Sequence, residues 1–190
     1  MKRFFLYLLF VCVYMSCTEE EQASTPVWLD EEQLPMESFG VTYYFSDSAH
    51  VRAILQADHV IEKTEPNEEG EMELKHYFDQ GVEIEFFDDK DVLESTVRAN
   101  QGVFRKDKGI AELTGDVVVT NTKDERLLTE QLFWDKTIDS VYTYKPVRIE
   151  TPEEIITGSK GLRSNTTFTT YYLFGIQGVV SVEEEGGGTP

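Results

Sequence analysis

Cysteine is scarce in this sequence. There are only two, Cys12 and Cys17, and both lie near the N-terminus. The rest of the chain therefore holds no pair that could form a disulfide or a cysteine-ligated zinc site. The three histidines lack the His-x-x-x-His spacing of a helical metal motif. We expect no cofactor, and a fold stabilised by apolar burial and strand pairing.

Basic residues are also few, with 17 Lys and Arg against 36 Asp and Glu and a formal net charge of −19. So acidic a chain repels nucleic-acid phosphates, which excludes nucleic-acid binding. A glycine-rich phosphate loop is missing, because Gly186-Gly187-Gly188 follows no strand–helix unit. Asp47, Ser48 and His50 have the residue types of a hydrolytic triad, yet they crowd into one turn-like stretch. We therefore predict that the protein is not an enzyme.

Long apolar runs are limited to one, from Phe4 to Tyr14, which is too short to cross a bilayer comfortably. It follows Lys2-Arg3 and ends at Ser16-Cys17, the layout of a secretory signal. A small residue followed by Cys resembles the lipobox of bacterial lipoproteins, in which Cys17 would carry the lipid. We predict a signal peptide over 1–16, with a retained signal anchor as the alternative.

The remainder divides by composition into a tether, a domain and a tail. Residues 17–37 are polar and acidic and contain prolines, which predicts a lipidated tether, and residues 183–190 predict a disordered tail. Between them, 38–182 is rich in β-branched and aromatic residues, alternates apolar with polar, and has a turn signal about every 8–12 positions. This pattern predicts one all-β domain.

A turn-forming residue followed by a valine that opens a strand recurs five times. The valines are Val41, Val82, Val117, Val147 and Val179. Their separation of roughly 30–40 residues fits repeated strand pairs, which would form a sheet with one continuous apolar face. That face needs a cover, supplied by a barrel, a sandwich or an open jelly roll. Small residues at Ala57, Ala99 and Gly158 indicate a cleft that side chains do not completely fill, although packed sandwiches also use small residues.

Six segments of this domain, in their order along the chain, resemble the LptC family. This family is the inner-membrane-attached periplasmic component of the lipopolysaccharide-export machine. The segments are Tyr44–Ala53, Ala99–Phe104, Leu113–Val119, Leu127–Asp135, Tyr144–Ile149 and Ile156–Ser164. Their order and spacing carry the resemblance over roughly 38–182. The resemblance implies a twisted, open antiparallel β-jelly roll whose interior takes the acyl chains of lipopolysaccharide.

The resemblance also implies two sets of functional residues. The groove residues that we predict from it and from the apolar alternation are Leu55, Ala57, Leu74, Val82, Ile84, Val97, Ala99, Leu113, Val117, Val119, Val147, Ile149 and Ile156. The final strand, starting at Tyr171, is the predicted edge for pairing with the periplasmic bridge protein. Its predicted partner-edge residues are Tyr171, Leu173, Gly175, Gln177 and Val179. The other edge would meet the inner-membrane ABC transporter, whose ATPase supplies the energy.

The N-terminal segment contains features that bear on where the anchor lies. Enteric members of the family keep a transmembrane helix, whereas here a lipidated Cys17 would hold the domain at a membrane, which we predict to be the inner one. Thr18-Glu19-Glu20-Glu21 is similar to surface-export signals of some Bacteroidetes lipoproteins. The alternative function is therefore a surface lipoprotein that binds protein or carbohydrate through a packed β-sandwich.

Overall fold

The computed structural model describes residues 35–177, and this part of the chain consists of fourteen strands without a helix. In chain order the strands are β1 Met36–Asp47, β2 His50–Pro66, β3 Met72–Phe78, β4 Val82–Phe87, β5 Leu93–Ala99, β6 Gln101–Arg105, β7 Ile110–Asn121, β8 Arg126–Asp135, β9 Ser140–Thr143, β10 Val147–Glu150, β11 Ile155–Gly158, β12 Leu162–Asn165, β13 Tyr171–Leu173 and β14 Ile176–Gln177. The predicted all-β class is confirmed. The first strand begins two residues before the predicted domain start. The predicted signal peptide, most of the tether and the tail lie outside the described residues.

Alternating burial explains why these segments form strands. In β4, Val82, Ile84 and Phe86 are buried while Glu83 and Glu85 are half-buried, which is the two-residue period of a strand with one face on a core. Every strand pairing among the described residues is antiparallel. The chain thus forms one continuous hydrogen-bonded sheet.

That sheet folds into two layers because four long strands, β1, β2, β7 and β8, belong to both. The first layer runs β1-β2-β4-β5-β7-β8-β10-β11-β14. The second layer runs β1-β2-β3-β6-β7-β8-β9-β12-β13. In β2, for example, Ala53–Ala57 pairs with β4 and Val60–Pro66 pairs with β3. This arrangement agrees with the predicted open jelly roll.

The strands cross from one layer to the other along a single line, which we call the seam. Gly40 and Gly81 lie on it with φ of +61° and +95°, and Gly115 with φ +77° lies within the register shift of β7. A positive φ suits glycine, which lacks a Cβ, and it bends the strand at this point. In the first three copies of the repeat, the turn-forming glycine before the valine therefore lies at the seam. The fifth copy, at Val179, lies outside the described residues.

Candidate functional site: the apolar interior and the open edges

The valine repeat forms one row across the inside of the first layer, next to the seam. Val41 lies opposite Ala57, Ala57 opposite Val82, and Val82 opposite Ala99. On the other side of β7, Val147 lies between Thr129 and Gly158. Valines thus alternate with smaller residues, and the row runs from the first edge strand nearly to the last.

Most of the predicted groove residues lie in the buried core between the layers. Eleven belong to it: Leu55, Ala57, Val82, Ile84, Val97, Ala99, Leu113, Val117, Val119, Val147 and Ile149. Ile156 is half-buried and packs against this core. Leu74 is half-buried and outside it, because β6 pairs only with Lys75–Phe78 and leaves Leu74 beyond the end of the ladder. The buried side chain next to it is Glu73.

An aromatic cluster bridges the layers, and the predicted groove set missed it. Trp134 of β8 lies edge-on to Phe45 and Phe86, with ring centroids 5.0 and 5.1 Å apart, and Phe45 also contacts Phe104 at 5.5 Å. All four rings are buried. Their positions in the alternating pattern could have revealed them, since Phe86 continues the series Val82, Ile84 on the same face of β4.

His76 and Trp134 carry polar groups within the apolar interior. His76 is 4% exposed, and its Nδ1 lies 2.8 Å from the Tyr43 hydroxyl. Burial lowers the pKa of His76, which favours the uncharged imidazole. The buried Trp134 Nε1 and His76 Nε2 have no hydrogen-bond partner among the described residues. Such an interior fits hydrocarbon and disfavours a charged headgroup.

The outer face of the second layer is charged. Lys75 Nζ donates to Glu65 Oε1 at 2.8 Å, and the Tyr77 hydroxyl donates to the same carboxylate. Burial, which is the larger cause, and this hydrogen bond to Glu65 together raise the pKa of Tyr77 to about 12. The contrast between this ionic surface and the apolar interior makes the space between the layers the candidate ligand site.

The sides of the layers away from the seam form a mouth, which side chains close. Arg52 of the first layer lies 3.9 Å from Asp139 in the β8–β9 turn. Lys136 Nζ lies 5.2 Å from the centre of the Phe45 ring, within cation–π range. Ser95 of β5 donates to the carbonyl oxygen of Thr166 at 2.8 Å. Few polar contacts therefore hold the two rims together.

The space expected beside Gly158 is occupied. A Cβ built on Gly158 would lie 2.8 Å from Leu173 Cγ and 3.1 Å from Val147 Cγ2. Leu173, which the sequence placed on a partner edge, thus points its side chain across the interior onto β11. The absence of a side chain at Gly158 makes room here for another residue of the same protein.

Both ends of the jelly roll are open edges in the described part of the chain. There, β1 pairs only with β2, β13 only with β12, and β14 only with β11. Exposed large apolar side chains gather at these ends: Met36, Phe39 and Tyr44 on β1, and Tyr171, Tyr172, Phe174 and Ile176 at the other end. An unpaired edge with exposed apolar groups is suited to pairing with another chain.

The final edge differs from the single strand that the sequence predicted. Tyr171 and Leu173 belong to β13 of the second layer, and Gln177 belongs to β14 of the first layer. Gly175 separates them with φ +66°, and Ser159 N–H donates to its carbonyl oxygen at 3.0 Å. The prediction of one continuous strand from Tyr171 is wrong, because the chain turns at this glycine from one layer to the other. Val179 lies outside the described residues.

The residues considered for hydrolysis do not form a triad. His50 Nδ1 lies 3.3 Å from Asp91, and Ser48 donates to the neighbouring Asp47 at 3.2 Å. Ser48 and Ala49 have φ of 51° and 68°, as expected in a tight turn. Within 35–177, no group of three or more His, Cys, Asp or Glu is arranged to hold a metal ion. The same residues include no helix that could cross a membrane.

Residues 6–171 match the family model described as lipopolysaccharide-assembly, LptC-related. The chain belongs to the LptC family. This match confirms the resemblance that the ordered segments carry. No curated protein matches the chain. LptC proteins are periplasmic components of lipopolysaccharide transport, and the family is not an enzyme family. As a member, this chain takes part in lipopolysaccharide transport. The interior and the open edges are the structural features from which that role can be understood.

Proposed function

We propose that the interior between the two layers carries the acyl chains of lipopolysaccharide on their way from the inner-membrane ABC transporter to the periplasmic bridge. The observation that carries this proposal is the continuous apolar interior, which runs from β1 to the last strands and ends at an open edge on each side. Each acyl methylene buried there contributes about 0.8 kcal/mol. The phosphorylated sugar headgroup stays in water, because apolar side chains line the interior.

The two edges connect the interior to partners. β1 pairs with the β-domains of the transporter, and β13 with β14 pairs with the bridge protein, in both cases by strand addition. Exposed apolar side chains on these strands support this role. Lipid attached to Cys17 anchors the domain at the inner membrane, and the partner ATPase supplies the energy for transport.

Passage requires the layers to part at the mouth, because side chains of the protein fill the interior in the described structure. The contacts across the mouth favour opening on this side. Arg52–Asp139 is a partly exposed ion pair, which is worth at most about 1 kcal/mol. At the seam, by contrast, covalent chain connects the layers, so separation there is prevented.

Photo-crosslinking tests this function with a matched pair of neighbouring valines. Val117 is fully buried on the inner face of β7, and Val118 points to the outer face. A photo-reactive amino acid at 117 should capture lipopolysaccharide in cells that are exporting it, and the same group at 118 should not. Equal yields at the two positions, or none at 117 while the variant remains folded, would contradict transport through the interior.

A further inference from the structure

The loop between β12 and β13 is a compact structure that spans the mouth, and we call residues 165–170 the strap. Asn165 organises it: its Oδ1 accepts from the N–H groups of Thr169 and Thr170 at 3.1 and 3.2 Å. Its amide nitrogen donates to the hydroxyls of Thr167 and Thr169, both at 2.8 Å. These hydrogen bonds within the strap define its closed shape, which must rearrange if Phe168 leaves the interior.

Two hydrogen bonds of Thr166 attach the strap to the body. Its carbonyl oxygen accepts from Ser95 of the first layer at 2.8 Å, and this bond is buried. Its hydroxyl donates to Asp139 of the β8–β9 turn at 2.7 Å. Among the hydrogen bonds of residues 35–177, only the Ser95 bond reaches from the strap to the first layer.

Phe168, at the centre of the strap, inserts its side chain into the interior. The residue is 6% exposed and belongs to the buried core, although it lies in a loop. Its φ is +54°, a conformation that is unfavourable for a bulky residue. Such strain persists only where the surroundings impose it, and here it keeps the ring between the layers.

The ring occupies an apolar slot that opens to the surface. The slot is lined by Val119, Leu127 and Ile149 of the first layer and by Phe168 and Tyr171 on the opposite side. Asn121, Glu125 and Arg126, around the β7–β8 turn, also border it. Its free volume is about 20 Å³, which is room for about one water molecule. Phe168 thus lies against aliphatic side chains of the first layer at the mouth, where polar and charged side chains of the β7–β8 turn also border the slot.

We propose that this slot is an acyl-chain subsite, which Phe168 occupies in the lipid-free protein and vacates when a chain enters. The inference rests on the proposed function and adds where the chain enters. The ring and the chain compete for the same aliphatic walls, so Phe168 acts as an internal substitute for the lipid. When Phe168 leaves, release of the backbone strain offsets part of the free energy lost with its packing contacts. The hydrogen bond between the strap and the first layer is also lost.

Hydrogen exchange on the unaltered protein tests the displacement directly. Saturating laurate, a single acyl chain with a carboxylate, should speed exchange of the Thr169 and Thr170 amides, which the Asn165 side chain holds in the closed strap. Amides in the middle of β7 should keep their exchange rates. Bound laurate with unchanged exchange in the strap would overturn the proposal.

Substitution of the plug gives a second test, measured as the affinity for radiolabelled laurate. Phe168→Ala should tighten binding about tenfold, because a closed population weakens the apparent affinity of the open one. Phe174→Ala makes the same change on a half-exposed phenylalanine outside the slot and should leave the affinity unchanged. Unchanged affinity for Phe168→Ala, in a protein that still unfolds cooperatively, would overturn the proposal.

A pair of serine variants covers the case in which Phe168→Ala fails to fold. Ser95→Ala removes the bond between the strap and the first layer and should tighten laurate binding about two- to tenfold, the range expected for one hydrogen bond. Ser140→Ala removes a similar buried bond, to Ser164 O at 3.0 Å, that lies within the second layer, and it should have no such effect. Equal effects of the two variants would refute a role for the strap.

The two proposals can fail separately. If lipopolysaccharide crosslinks at Val117 while laurate affinity and strap exchange do not respond, the plug is refuted and transport through the interior stands. If neither lipopolysaccharide nor laurate reaches the interior in any variant, the proposed function fails together with this inference.

Discussion

The contact between Gly158 and Leu173 offers a sharp test of how the layers meet near the last edge. Gly158→Ala adds one methyl group inside the interior, and the new Cβ would lie 2.8 Å from Leu173 Cγ. Gly158 has no positive φ, so the backbone accepts alanine without strain. Any destabilisation must therefore come from the collision of side chains.

The magnitudes follow from the burial of the two residues. Overpacking of this kind costs about 1–3 kcal/mol of the free energy of unfolding. Leu173→Ala alone should cost about 1–2 kcal/mol, since a fully buried leucine costs about 2–5 and Leu173 is half-buried. In the double variant the collision with Leu173 is absent, so the added methyl group should be nearly neutral. The double variant should then be more stable than the sum of the single effects predicts, by about 1–2 kcal/mol.

Urea unfolding of the four proteins, followed by tryptophan fluorescence, measures this cycle. The transition must be cooperative with the same slope in all four for the free energies to be compared. Additivity within about 0.5 kcal/mol would mean that the two side chains do not interact. That result would refute the packing of β13 against β11 on which the account of this edge depends.

Two further predictions concern the edge and the interior. Tyr171→Pro should weaken capture of the bridge protein in a pull-down more than Tyr171→Ala does. The backbone bonds Asn165–Thr170 and Phe174–Gly161 turn the Tyr171 N–H away from β12 towards the open edge, and proline lacks this donor. Equal capture by the two variants would place the interface elsewhere. Burial lowers the pKa of His76, so the unfolded chain binds this proton more readily than the folded protein does. The stability due to neutral His76 should therefore be lost as the pH falls from about 6.5, the ordinary value, through the lower pKa of the folded state. The urea midpoint of unfolding should therefore vary less with pH in His76→Gln than in His50→Gln, a control at an exposed histidine. Equal dependence of the midpoint on pH in the two variants would contradict a buried neutral histidine.

Alternation made much of the interior predictable. Residues such as Ile84 and Val97 show a two-residue period in short strands, and the structure buries them as that period requires. The limit appears where a long strand crosses the seam. In β8 the buried positions change from Leu127 and Thr129 to Leu132 and Trp134, because the strand leaves one layer and enters the other. A one-residue irregularity reverses the inward face, and the local sequence does not specify it.

Propensity alone was ambiguous for β8. Residues 124–136 contain good helix formers, yet the segment is a strand that pairs with β7 on one side and with β9 and β10 on the other. The hydrogen bonds of these ladders satisfy the backbone N–H and C=O groups of β8. Pairing with other strands thus overrides the local preference for a helix.

Residue types and their order were enough to predict the all-β class, the apolar face marked by the valine repeat, and the family to which the chain belongs. These properties depend on residue types at short, regular intervals, which a linear chain displays directly. Only the tertiary structure decided that Phe168 enters the core from a loop, that Leu173 fills the space over Gly158, and that the final segment divides between two layers. Each of these depends on contacts between residues from separate strands or loops, and their pairing is set by how the layers fold onto each other.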